Sequence, residues 1–178
     1  MRKKLLKLLL VAALIGLGVP VQMTQAQNGY PLDLCRRAGF STEEDFMMRE
    51  GEAYDGNPYV SDGDVLSPNG QVCARNHDLL AAFDVREDLG LDALDILSVE
   101  ERLIAFSTEL DSPRDTFSDG DLLITNGAII PNAALLFRFD IRIGLGLDGV
   151  HFIGSEDAIR RFVEVASGTA PDDWLNGR

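Results

Sequence analysis

The chain has 178 residues, 16 Lys+Arg against 29 Asp+Glu, and a formal net charge of −13. A hydrophobic fraction of 46% supplies a core and excludes a disordered chain, and 17 Gly with 7 Pro exclude collagen-like and low-complexity classes. The acidity argues against nucleic-acid binding, which needs basic groups to neutralise phosphates, and against docking on an anionic membrane surface.

Residues 1–26 carry the three-part layout of a secretory signal peptide. Met1 to Lys7 is basic, Leu8 to Gly18 is an apolar run too short to span a membrane comfortably, and Thr24-Gln25-Ala26 places small residues before Gln27. Cleavage there removes Arg2, Lys3, Lys4 and Lys7, leaving twelve basic residues, all Arg, against 29 acidic ones and a net charge of −17. The expected location is secreted or cell envelope, with no integral membrane segment after processing. Residues 27–43 form an N-terminal segment ahead of the main domain. Cys35 and Cys73 are the only cysteines. In an exported protein such a pair is expected to form a disulfide, in preference to a reactive thiol or metal pair.

An internal repeat organises residues 44–157 into two units, 44–100 and 101–157. Ser61-Asp62-Gly63-Asp64 recurs as Ser118-Asp119-Gly120-Asp121, and Asn69-Gly70 recurs as Asn126-Gly127, both at an offset of 57. The same offset, without a gap, lays Phe46-Met47-Met48 on Leu103-Ile104-Ala105 and Glu52 on Glu109. Between Gly70 and Asn76 the first unit carries one extra residue, and from there the offset is 56. Asn76, Leu79, Leu80, Phe83 and Asp84 then match Asn132, Leu135, Leu136, Phe139 and Asp140, and Leu89-Gly90-Leu91-Asp92 matches Leu145-Gly146-Leu147-Asp148.

Taken in order, each unit begins with a strand (46–50; 103–109). A hairpin follows around Asn-Gly, with arms 64–67 and 71–75 in the first unit and 121–125 and 128–131 in the second. Asn76 and Asn132 then each open a short, Asn-capped helix, on apolar spacing of i, i+1 and i+4. Alternation predicts a strand at 91–98 and another at 147–154. Arg161–Ala166 (RFVEVA) reads as a closing strand within 158–167, and 168–178 is a polar tail with Trp174. The expected architecture is all-β with one short helix per repeat, a pseudo-twofold duplicated β-sandwich or barrel treated as a single domain over 44–167.

The repeated Asp-Gly-Asp is the most suggestive chemical element. Hard cations take several oxygen ligands, so Asp62, Asp64, Asp119 and Asp121 are candidate Ca²⁺ ligands, although the spacing is not that of an EF-hand loop. Plain turn chemistry explains the same residues and is preferred. His77 and His151 align with Ala133 and Asp95, lie outside the repeated pattern, and read as exposed or hydrogen-bonded structural residues. No nucleophile elbow, P-loop or dinucleotide fingerprint occurs, and no residue is assigned a catalytic role.

The run SDGDVLSPNGQVCARNHDLLAAFDVREDLGLDALDI, followed by LIAFSTELDSP and SDGDLLITNGAIIPN, resembles a group of secreted bacterial proteins built from the same tandem modules. The resemblance covers about residues 44 to 157. It implies export, an all-β repeat fold and a non-enzymatic role, and transfers no catalytic residue. The sequence thus points to an exported, non-catalytic β-domain of unknown specific role, with Ca²⁺ as a candidate stabilising ion and an extracellular protein or glycan as a candidate partner. Two other readings stay open. One is an extracellular polymer hydrolase using carboxylates in a groove between the halves; the other is a small-ligand carrier with an apolar cavity.

Overall fold

A computed structural model describes residues 30–49, 55–141 and 143–168. Residues 1–26, read above as a signal peptide, Glu52 and the tail with Trp174 lie outside these residues.

Among the described residues, eight antiparallel strands form three sheets. Strands β1 (Phe46–Met47) and β2 (Tyr59–Val60) pair with each other, as do β3 (Val65–Ser67) and β4 (Gln71–Ala74). A four-stranded sheet runs in the order β5 (Ala93–Ser98), β6 (Leu103–Ser107), β7 (Leu122–Ile124), β8 (Ile129–Ile130). The fold is mainly β, with short helices; among the described residues no sheet closes into a barrel. The hairpins β3–β4 and β7–β8 turn where Asn-Gly predicts. Gly70 and Gly127 sit at φ +76° and +93°, in the left-handed region that only glycine adopts cheaply.

Helices α2 (Asn76–Leu79) and α3 (Asn132–Leu136) follow the two hairpins as expected, each running into a 3₁₀ turn that ends on a left-handed Asp, Asp84 or Asp140. The asparagines are not their caps, however. Arg75 and Pro131 occupy those positions, and each Asn is the first helical residue with its side chain turned elsewhere. Helix α1 (Leu32–Cys35) lies against β3 and β4 and is bonded to the latter through the Cys35–Cys73 disulfide.

Two expected strands are absent. Residues 144–153 have no regular structure, and the closing strand over 158–167 is instead a helix, α4 (Glu156–Gly168). Ser155 accepts the N–H groups of Ala158 and Ile159 at its carbonyl, and Glu156 and Asp157 favour the positive end of the helix dipole. Ile159, Val163 and Ala166 recur at i, i+4 and i+7 and pack on the four-stranded sheet, so helical periodicity overrides the β-propensity of the local Phe-Val-Glu-Val run.

Alternation along the strands sends side chains to separate cores. From the four-stranded sheet, Ile104, Phe106 and Leu123 enter a central core with Val65, Leu79, Leu80, Val85, Leu89 and Leu91. Ala105, Leu122, Ile124 and Ile130 enter a second core beneath α4. Leu66 and Val72 of the β3–β4 hairpin face a third, smaller core with Tyr30 and Val60. The central core thus takes side chains from both the β3–β4 hairpin and the four-stranded sheet, and the other two cores take the alternate residues of one or the other.

Candidate functional site

The Asp-Gly-Asp turns are held from inside. The Asp64 carboxylate accepts the N–H of Ser61 (3.2 Å) and of Asn76 (2.9 Å), and Asp121 accepts those of Ser118 (2.9 Å) and Asn132 (2.7 Å). The Asn76 side-chain amide donates to the Gly63 carbonyl, and that of Asn132 donates to the Gly120 carbonyl and to Leu145. A Cβ on Gly63 would stand 1.9 Å from the Asn76 amide nitrogen, and one on Gly120 would stand 2.3 Å from the Leu145 carbonyl oxygen. These glycines are required by close packing, not by a left-handed turn. Two of the four candidate metal ligands, Asp64 and Asp121, are therefore committed to backbone donors.

Equivalent bonds also place the first strand of each half, and here the ungapped alignment needs correction. Phe40 bridges Leu66 as Phe106 pairs with Leu123. The Ser41 hydroxyl donates to the Leu91 carbonyl (2.7 Å), and Ser107 donates to that of Leu147 (2.6 Å). Asp45 accepts the N–H of Asp62 (3.1 Å), and Asp111 accepts that of Asp119 (3.0 Å). The counterpart of Phe106-Ser107-Thr108-Glu109-Leu110-Asp111 is thus Phe40-Ser41-Thr42-Glu43-Glu44-Asp45, at an offset of 66. Phe46-Met47 does not occupy the position of β6; it pairs with Tyr59-Val60 in a segment nine residues longer than the matching stretch of the second half.

That extra segment leads into a buried ionic network that sequence reasoning missed. Arg75, 3% exposed, donates Nε and Nη2 to the two oxygens of Asp55 (3.0 and 2.9 Å), Nη1 to Asp64 (2.6 Å) and to the Tyr59 carbonyl, and Nη2 to the Asn57 carbonyl (2.8 Å). All five guanidinium N–H groups are used. The Tyr30 hydroxyl donates to Asp55 at 2.5 Å. The hydrogen bonds from Arg75 hold the Asp55 carboxyl well below the usual carboxylate range, and burial followed by the bond to Asp55 pushes the Tyr30 phenol up to about 12. Burial opposes the charge on Arg75, but the bonds to Asp55 and Asp64 outweigh it and its pKa is raised. Arg75 aligns with Pro131, so the network belongs to one half only. This mismatch was the available signal.

Arg75, Asp64 and Asn76 line a polar cleft of about 220 Å³ together with His77, Arg86 and Asp88. The first three are buried and locked to one another, so chemistry toward a solute falls to the other three. His77 stands 3.3 Å from Asp78 at the surface, and His151 stands 3.4 Å from Asp95; both imidazoles are exposed, as the sequence suggests. A second cleft of about 370 Å³ opens between α4 and the four-stranded sheet, lined in part by Leu103, Ile124, Ile159 and Val163 with Glu156 and Arg160.

Asp62 belongs to an acidic surface where the halves meet. Burial first, then the charges of Asp88 and Asp45, raise its pKa; burial, then Asp62, Asp92, Glu43 and Asp88, raise that of Glu109. Burial, followed by Asp148, Glu43 and Asp119, does the same to Asp92. Among the described residues no group of three or more His, Cys, Asp or Glu is disposed to hold a metal ion, and Asp62 and Asp119 do not converge with Asp64 and Asp121 on one point. No helix among the described residues is long and apolar enough to cross a membrane. No family model, curated protein or solved structure matches the chain.

Proposed function

We propose that the protein is an exported, non-catalytic domain of two related modules that acts through its surfaces. The observation that supports this is the use to which the shared polar residues are put. Ser41 and Ser107, Asp45 and Asp111, Asp64 and Asp121, and Asn76 and Asn132 all bond to backbone groups of their own module. These eight shared polar residues serve the fold of their own module. Duplication of one such module accounts for the matched bonds, and the disulfide between Cys35 and Cys73 suits an oxidising compartment outside the cytoplasm.

A second reading, an extracellular hydrolase working through carboxylates between the halves, is favoured by the raised pKa values of Asp62 and Glu109. It is the weaker one. Glu43, Asp62 and Asp92 each have a counterpart in Glu109, Asp119 and Asp148, so the acidic surface repeats with the module and is not a constellation assembled once. Incubation of the purified protein with reporter glycans, peptides and esters separates the readings. We expect no turnover above a mock preparation; turnover that disappears in Asp62→Asn or Glu109→Gln would establish the hydrolase instead.

A further inference from the structure

Inside the chain the first module is covered by the second through an aromatic knob. Phe83 packs edge-on against Phe106 (ring centroids 6.1 Å apart) and Phe117 (5.5 Å), above Leu123 and Ile129. Gly127, on the neighbouring turn, lies so that a Cβ there would touch Ala82, the residue beside Phe83. Phe83, Phe106, Leu123, Ile129 and Gly127 have counterparts of like kind in the other module, whereas Phe117 aligns with the buried Val60 and Ala82 with Arg138. The equivalent knob is Phe139, which is 73% exposed and among the outermost apolar side chains, with Leu145 and Ile143 also open to solvent. In the first module the residues matching Leu145 and Leu136, Leu89 and Leu80, are fully buried against the second.

The equivalent socket is a surface pocket in which Phe40 is exposed over the buried Leu66 and Val72. Phe40 corresponds to Phe106, Leu66 to Leu123, Val72 to Ile129 through the same strand pairings, and Gly70 to Gly127. Phe40, Leu66, Val72 and Gly70 line an apolar pocket of about 130 Å³ with Phe46 and Met48. Phe40 is 43% exposed where Phe106 is 0%, and nothing lies within 4 Å of a Cβ on Gly70. Phe139 is flanked by Arg138 and Asp140, and of these Arg138 is opposite in charge to Glu43, Glu44 and Asp45, which follow Phe40.

We propose that copies of this chain associate head to tail, with Phe139 of one copy seated in the Phe40–Leu66–Val72 pocket of the next, continuing between molecules the contact that Phe83 makes within one. The occupant is a second copy because the pocket and the knob are the two halves of an interface the chain already builds internally. Such a contact is heterologous, so it closes into a ring or extends as a filament and does not stop at a twofold dimer. The inference rests on reading the chain as two related modules acting through their surfaces.

Sedimentation velocity of the purified, disulfide-bonded protein from micromolar to millimolar concentration tests it. We expect the average mass to rise past that of a dimer, and Phe40→Asp and Phe139→Asp each to abolish the rise. Both side chains are exposed, so unchanged circular dichroism will show that the variants fold. An equimolar mixture of the two variants retains one intact knob and one intact socket, and is expected to give dimers and nothing larger. A wild type that stays monomeric throughout, variants that associate as wild type does, or a mixture that fails to pair would each overturn head-to-tail association. None of these results bears on turnover, whose appearance is what overturns the non-catalytic reading.

Discussion

The side chain of Asn132 lies flat against Gly120, its amide donating 2.7 Å to the Gly120 carbonyl while a Cβ on that glycine would stand 2.7 Å from the same nitrogen. Asn76 and Gly63 repeat the arrangement. The turn between a module's first and second strands is thereby clipped to the helix that follows its hairpin, and the clip leaves no room for any side chain.

Gly63→Ala and Gly120→Ala are accordingly expected to destabilise by about 1–3 kcal/mol, the usual cost of forcing a methyl group into filled space. Gly149→Ala, where a Cβ meets nothing within 4 Å, is expected to change the melting temperature little. Thermal melts of the three variants decide it; equal midpoints would show that the clip relaxes freely.

Arg75→Met removes the partner of two carboxylates and leaves Asp64 buried without its cation. Breaking one side of a buried ion pair costs about 3–5 kcal/mol, far above the effect of a surface substitution. Urea unfolding should show a loss of that order. Arg114→Met, which breaks an exposed pair with Asp84, should cost at most about 1 kcal/mol.

Stability is expected to fall on both sides of a mildly acid optimum. Asp62, Asp92 and Glu109 titrate higher in the folded protein, so their contribution is complete below the unfolded carboxylate range and is lost as pH rises through the raised values. Asp55 titrates lower when folded; its contribution is present above the unfolded value and lost as pH falls toward the depressed one. Glu109→Gln should therefore raise the midpoint at neutral pH and flatten the decline toward alkali, whereas Asp55→Asn should flatten the decline toward acid. A neutral-pH loss of stability in Glu109→Gln would contradict the repulsion argument.

Opening the Cys35–Cys73 bond, which links residues 38 apart, should cost about 4 kcal/mol if restriction of the unfolded chain dominates. Melts of Cys35→Ser/Cys73→Ser beside wild type measure this, and titration of wild type under denaturing, non-reducing conditions should find no free thiol.

Midpoints in millimolar Ca²⁺ and in chelator are expected to coincide, because Asp64 and Asp121 already accept two backbone N–H groups each. A midpoint that rises with Ca²⁺ concentration would support a cation site at Asp62 and Asp119.

Features written in contiguous residues were legible without coordinates. The Asn-Gly hairpins, the short helices at Asn76 and Asn132 and the strand at 91–98 follow from turn chemistry and apolar spacing, which act within a few residues. The disulfide was legible for another reason: two cysteines leave only one pairing. The recurring Ser-Asp-Gly-Asp was visible too, but its purpose was not, since the amide that packs on Gly63 comes from residue 76.

Tertiary structure decided what depends on partners distant in sequence. Phe40-Ser41-Thr42-Glu43 and Phe106-Ser107-Thr108-Glu109 share four residues, yet the additional nine residues after Asp45 hide the match from an ungapped comparison, and only the strand pairings and serine bonds align them. Arg75 gained its meaning from Asp55, which that same segment delivers to it. Residues 161–166 have a local preference for strand, but a strand needs a neighbour, whereas the helix over 156–168 satisfies its own backbone and buries Ile159, Val163 and Ala166 on a sheet already formed. Local propensity thus determined the pieces of each module, and long-range hydrogen bonding and burial determined which pieces correspond, where the charges are buried and which aromatic faces are left open.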